Sequence, residues 1–231
     1  MLRRRAWQHV RRRLGLHGRT SYAQCGEDLI LRHVFDSLGI ANPTYLDIGA
    51  NDPVRFSNTY FFYRQGARGM CVEPDPRLAA RLRRARPRDQ VLNIGVAAEA
   101  GTLDFHIMSE PVLNTFDPAE ARRLETMGYR IESVQPIRVE PVEQVLAQFG
   151  ATPDFINIDV EGLDTVVVSA IDFARWRPVA FCVETLTFSE TGSGTKVPEI
   201  FTVMENHGFF PYADTHINTL FVDEARWRSR G

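Results

Sequence analysis

Between Thr44 and Pro76 the chain reads TYLDIGANDPVRFSNTYFFYRQGARGMCVEPDP, and this stretch constrains the fold more than any other. A short apolar run ends at Asp47, a turn with a single glycine follows, a helix-length segment comes next, and a second apolar run ends at Glu73. That order is strand, turn, helix, strand, the unit from which parallel sheets are built. It sets one carboxylate at the carboxyl end of each strand, the edge where open α/β sheets bind their ligands.

The alternation continues on both sides. Apolar spacing over residues 21–39 predicts a helix that stops at Gly39, ahead of the first strand at 45–48. The turn leads into a helix over 54–65 with Gly66 at its end, a strand at 69–73, and a helix opened by Pro76. Arg81, Arg83, Arg84, Arg86 and Arg88 crowd that helix and its exit and read as a solvated face. Further strands are expected at 90–96, 102–108, 137–139, 154–159 and 179–184, with helices at 142–149, 163–171 and 197–207. Two closing runs, 209–212 and 218–222, have no helix between them, so a hairpin should add an antiparallel strand. The expected fold is α/β: a Rossmann-like, doubly wound, mainly parallel sheet of about seven strands whose final strand is antiparallel.

With 231 residues the chain suits one such domain over 21–231, preceded by a basic extension over 1–20. Residues 109–135 are the least patterned and are expected to form a lid or substrate insertion. Residues 1–19 hold seven arginines and no acid, leaving 20 basic against 29 acidic residues in the remainder. So acidic a body argues against a nucleic-acid partner, while the basic start suits either peripheral contact with an anionic membrane or a solvated helix. No apolar run approaches the roughly 20 residues that span a bilayer, and no secretory leader is recognisable, so a cytoplasmic location is expected. Cys25, Cys71 and Cys182 form no metal-type pair, and the latter two sit in apolar runs as buried thiols.

The ligand class follows from the glycines and acids. Dinucleotides require Gly-x-Gly-x-x-Gly so that the backbone can approach a pyrophosphate. Here the turn is Asp47-Ile48-Gly49-Ala50-Asn51-Asp52-Pro53, with one glycine. Two strand-end carboxylates instead suit a ligand with a ribose and a positive charge, such as S-adenosylmethionine, whose ribose hydroxyls Glu73 can accept. The alternative is that these acids merely cap helices, as Asp52 before Pro53 does in principle.

The combination resembles the FkbM family of S-adenosylmethionine-dependent methyltransferases. The matching pieces are SYAQCGEDLIL (21–31), YLDIGANDP (45–53), FSNTYFFY (56–63), CVEPDP (71–76) and FINIDVEGLD (155–164). The resemblance implies a class I methyltransferase-like fold and donor contacts from Asp47, Gly49, Asn51 and Glu73, with Gln24 and Ser57 from the flanking motifs. It sets Asn93 beside the adenine. Members typically methylate hydroxyls of sugars or polyketides, so the acceptor implied is a sugar, glycan or glycolipid, or else a polyketide or other small molecule. The chain departs from the family at Asn157, where members often carry lysine, and at Glu140-Pro141; both departures bear on acceptor contacts.

A hydroxyl must lose its proton to accept a methyl group, which calls for a base or a metal. Asp159 ends its strand beside the cleft and is the first candidate for the base. Glu184 ends the neighbouring strand, and Glu161 follows closely; with Asp159 they could hold Mg²⁺, which prefers oxygen ligands. The rival role for Glu161 is to stabilise a helix N-terminus. His216 in DTHINTLF is a further candidate base. Two other classes stay open: a nicotinamide-dependent oxidoreductase on a similar sheet, and a non-catalytic module that only binds the cofactor.

Overall fold

The computed structural model describes residues 18–160, 162–187 and 194–230. The arginine-rich start up to residue 17 and Glu161 lie outside the described residues, as do Gly192 and Ser193. Among the described residues no helix is long and apolar enough to cross a membrane.

Helix α1 (Glu27–Ser37) precedes strand β1 (Tyr45–Ile48), helix α2 (Tyr60–Arg64), β2 (Gly69–Val72), α3 (Pro76–Ala85), β3 (Gln90–Leu92), β4 (Gly95–Val96) and β5 (Gly101–Met108). A 3-10 turn (Pro111–Leu113) and helix α4 (Pro118–Thr126) lead to β6 (Ile131–Glu140) and α5 (Val142–Phe149). Strand β7 (Phe155–Ile158), α6 (Asp164–Ser169), β8 (Ala180–Glu184), α7 (Pro198–Asn206), β9 (Phe209–Asp214), β10 (Asn218–Asp223) and α8 (Glu224–Arg228) complete the chain.

Seven strands form one sheet in the order β3-β2-β1-β7-β8-β10-β9. β10 runs antiparallel to both of its neighbours, and the other pairings are parallel. The final strand is therefore antiparallel, as the missing helix before it implied, but it inserts beside β8 and leaves β9 at the edge. β1 and β7 are buried at every position, as central parallel strands covered on both faces must be. One face carries Leu46, Ile48, Ile156 and Val183 under α5, α6 and α7. The other carries Tyr45, Phe155 and Cys182 under α1 and α2, with Cys71 against Leu82 of α3. Asp75 caps α3 by accepting the Arg77 N–H at 2.7 Å, with Pro76 in the first turn.

Three expectations are corrected. The helix foreseen over 54–65 is only Tyr60–Arg64, because Asp52 accepts the N–H groups of Val54 and Arg55 and so closes a tight turn rather than capping a helix. The strand foreseen at 90–96 breaks at Asn93: Gln90–Leu92 pairs with β2, whereas Gly95–Val96 pairs with β6 in a second sheet ordered β4-β6-β5. The strand foreseen at 137–139 starts at Ile131 and forms a long antiparallel ribbon with β5, with a bulge at Ile107/Met108. β5 matches the strand expected at 102–108, whereas the outer end of β6 is missed because it alternates half-buried and exposed positions with no matching apolar alternation in its residues.

Candidate active site

A cavity of about 610 Å³ opens at the carboxyl ends of β1, β2, β7 and β8. Its floor is the turn after β1. Gly49 has φ +83°, and a Cβ built there would lie 1.7 Å from the main-chain oxygen of Asp159. The one glycine of the turn thus serves the close approach of two strand ends. Asn51 also takes a left-handed conformation, φ +45°, which asparagine tolerates better than most residues.

Glu73 stands on the wall just past β2. Its Oε2 accepts the Asn51 N–H and its Oε1 accepts the Asp75 N–H, both at 2.8 Å. Burial pushes its carboxyl up to about 7, against the pull of those two N–H donors. Each oxygen keeps a second lone pair, so the side chain is oriented yet able to accept a diol. Asn93 does not line the cavity; its amide donates to the main-chain oxygens of Glu73 and Pro74 at 2.9 and 2.8 Å and fixes the turn that presents Glu73.

Asp47 and Ser57 sit beneath this floor rather than on the wall. Asp47 pairs in register with Asn157 and Cys71, so its side chain points to the sheet face covered by α2 and not to the sheet edge. Its two oxygens accept from Thr59 and from Asn157 at 2.9 Å. Burial raises its pKa, opposed chiefly by the Arg86 guanidinium 3.8 Å away. Ser57 accepts the Tyr60 N–H that opens α2. Asn157, expected to bear on the acceptor, is instead a buried link in this network, and its carbonyl accepts from Asn58.

Arg86 corrects the reading of a solvated arginine face. It is fully buried, bonding Asp89 at 2.8 Å, the Tyr45 hydroxyl at 3.0 Å and the Thr59 hydroxyl at 2.9 Å. Five donors on a planar fork can satisfy that many acceptors, which an ammonium cannot do in the same geometry. Nothing in a run of five arginines singles this one out; the sheet does, by closing over it.

Asp159 and Glu184 meet on the opposite wall, where their carboxyls are hydrogen-bonded to each other. Burial pushes Asp159 up to about 7, with the charges of Asp164 and Asp47 adding to the rise. The hydrogen bond from Glu184 acts the other way and favours the ionised form of Asp159. Asp164, which sequence reasoning did not single out, accepts the Val160 and Gly162 N–H groups and so shapes the loop after Asp159. Its own carboxyl is raised to about 6 by burial. The Asp-x-Glu-Gly-Leu-Asp spacing was the available signal: an acid ahead of a helix can bond back onto the preceding loop.

Gln24 lines the cavity; His216 does not. His216 is exposed in the tight turn between β9 and β10 with φ +78°, its N–H bonded to Asp214; the turn borders the cavity through Ile217, but the candidate base is not part of the lining. Of the expected Mg²⁺ set, only Asp159 and Glu184 fall within the described residues. Asp159 and Glu184 converge, Glu161 lies outside the described residues, and among the described residues no three His, Cys, Asp or Glu side chains are grouped to hold a metal. The segment expected as an insertion supplies the cavity's outer wall through Pro111, Val112, Leu113 and Phe116.

The family model described as the methyltransferase FkbM domain matches residues 47–211. No curated protein matches the chain. Among solved structures, the chain is similar to a methyltransferase from Geobacter sulfurreducens, with 11% identity over 94% of this chain and 86% of that one and a TM-score of 0.47. It is also similar to the O-methyltransferase from Bacillus cereus in complex with SAH, at 11% identity, 93% and 88% coverage and a TM-score of 0.43. A third is the Burkholderia thailandensis 1,6-didemethyltoxoflavin-N1-methyltransferase, at 16% identity, 85% and 74% coverage and a TM-score of 0.40.

Proposed function

The chain belongs to the FkbM methyltransferase family, and from that premise we propose that this S-adenosylmethionine-dependent methyltransferase acts on a hydroxyl of a sugar or glycan. The observation that carries the reading is the Asp159–Glu184 carboxyl pair on the cavity wall, with Asp159 held near neutrality. An amine acceptor that is already neutral needs no such base, whereas an alkyl hydroxyl does.

The donor, when bound, brings a methyl group already activated on a sulfonium. Glu73 is placed to accept the ribose hydroxyls, held by Asn51 and Asp75. The Gly49–Asn51 turn leaves backbone and no bulky side chain beside the methionyl part. Asp159 takes the acceptor's proton, and Glu184 keeps its carboxyl aimed and shares the charge. Asp47, through Thr59, Asn157 and Arg86, positions the β1 end from below and touches no ligand. Gln24 and Thr187 add polar groups to a wall suited to a polyhydroxylated acceptor, and Pro111, Val112, Leu113 and Phe116 supply its apolar side.

Labelled methyl transfer from S-adenosylmethionine to a panel of glycosides, sugar phosphates and hydroxylated small molecules tests the reading. A hydroxyl of a sugar should be labelled, and Asp159→Asn should abolish labelling while leaving S-adenosylhomocysteine binding in place. Labelling confined to amines, or undiminished transfer by Asp159→Asn, would overturn it.

A further inference from the structure

We propose that Arg55 and Phe56 form a subsite at the mouth of the cavity that anchors the acceptor through a phosphate-type anion beside its sugar ring. The proposal rests on the reading of the cavity as a sugar O-methyltransfer site and names a property of the acceptor.

Three features meet at this corner. Asp52, the neighbouring acid, is already committed: Oδ1 accepts the Val54 and Arg55 N–H groups and Oδ2 bonds Arg81 at 2.8 Å. Arg55 lines the cavity, and its guanidinium has no ion pair among the described residues. It stands 4.5 Å from the centre of the Phe56 ring. Phe56 has φ +59°, a conformation costly for a bulky residue, and its ring is left 47% exposed rather than buried. The fold thus holds an aromatic ring at the opening in a conformation that packing does not repay. Across the opening, Val112 is 46% exposed, and the Asn51 amide bonds the Pro111 oxygen at 3.3 Å, tying the two lips together.

The chemistry of these groups is complementary to a phosphorylated sugar. An aromatic face packs against the C–H face of a pyranose, and a guanidinium fork pairs with two phosphate oxygens. Charge then fixes the direction of binding. The other ionisable groups on the wall are the acids Asp52, Glu73, Glu110, Asp159 and Glu184, none of which attracts an anion, and Arg81, which Asp52 neutralises. The anion is left with the Arg55 corner, which turns the sugar hydroxyls inward toward Asp159.

The test uses the full chain saturated with S-adenosylhomocysteine, with glucose-1-phosphate and methyl glucoside as matched anionic and neutral probes. Phosphorus line broadening and saturation transfer to the sugar protons read the binding. The wild type should bind glucose-1-phosphate, and Arg55→Gln should weaken that signal about fivefold or more, as loss of a charge-assisted bidentate pair requires. Methyl glucoside should not distinguish the two proteins, and Phe56→Ala should reduce saturation of the sugar protons. Equal phosphate signals in wild type and Arg55→Gln, or no phosphate binding by the wild type, would overturn the proposal. So would a loss of S-adenosylhomocysteine affinity of about tenfold in Arg55→Gln, because the guanidinium would then belong to the donor's carboxylate. A wild type that fails to bind S-adenosylhomocysteine would overturn the donor reading instead, and the phosphorus measurement without it would still decide the anion corner.

Discussion

The Cβ direction of Gly49 is occupied by the main-chain carbonyl of Asp159, with 1.7 Å between that oxygen and an ideal Cβ. The turn after β1 and the end of β7 are thereby locked to one another through backbone.

Gly49→Ala should break this lock. The added methyl must displace backbone, and alanine also pays for a φ of +83°. We expect a loss of about 3 kcal/mol in unfolding free energy together with loss of S-adenosylhomocysteine binding. Urea denaturation and calorimetry check both.

Methyl transfer should rise with pH through the region of 7 and level off above it, because the base proposed here, Asp159, acts in its ionised form and its carboxyl is raised to about 7. Asp159→Asn should lower kcat by about 100-fold or more. A pH–rate profile with a limb below 6 would contradict the assignment of Asp159.

The same carboxyl bears on stability. A raised pKa means that the folded state holds the proton more tightly than the unfolded one. Its contribution is full below the ordinary aspartate value and is lost as pH rises toward about 7. Asp159→Asn should therefore melt higher than the wild type at pH 8, and the gap should shrink at pH 5. Thermal scans at the two pH values read it.

Glu73→Ala should weaken S-adenosylhomocysteine binding by about 10-fold or more, since it removes the acceptor proposed for both ribose hydroxyls. It also leaves the Asn51 and Asp75 N–H groups without their partner, so about 2 kcal/mol of stability should go with it. Glu73→Gln keeps one acceptor and should fall between the two proteins in calorimetry.

Arg86→Met should cost about 3–5 kcal/mol, because Asp47 and Asp89 would remain buried without their counter-charge. Arg86→Lys should recover little of this, as an ammonium cannot reach Asp89, Tyr45 and Thr59 together. Denaturant titrations of the two variants separate charge from geometry.

The strands at 45–48 and 69–72 and the antiparallel final strand were legible in the sequence, because buried central strands are continuous apolar runs and a missing helix forces a hairpin. Glu73 and Asp159 were legible for the same reason: each directly follows such a run, and chain continuity alone delivers it to the sheet edge. Asp47 obeyed a different rule. It lies inside its strand, one residue short of the end, and alternation turns its side chain to a face. One residue of register separates a wall of the cavity from a network beneath it.

What the sequence determined by itself was the parallel architecture, the edge at which the cavity forms and the two acids at its ends, since these follow from local periodicity and chain order. Tertiary structure decided the rest. It buried Arg86 out of five similar arginines, left His216 exposed and off the cavity lining, and brought Asp159 into contact with Glu184 from an adjacent strand. It also left Arg55 without a counter-ion among the described residues. Burial and charge pairing depend on which segments meet across the sheet, and that information is not carried by the spacing of residues along any one of them.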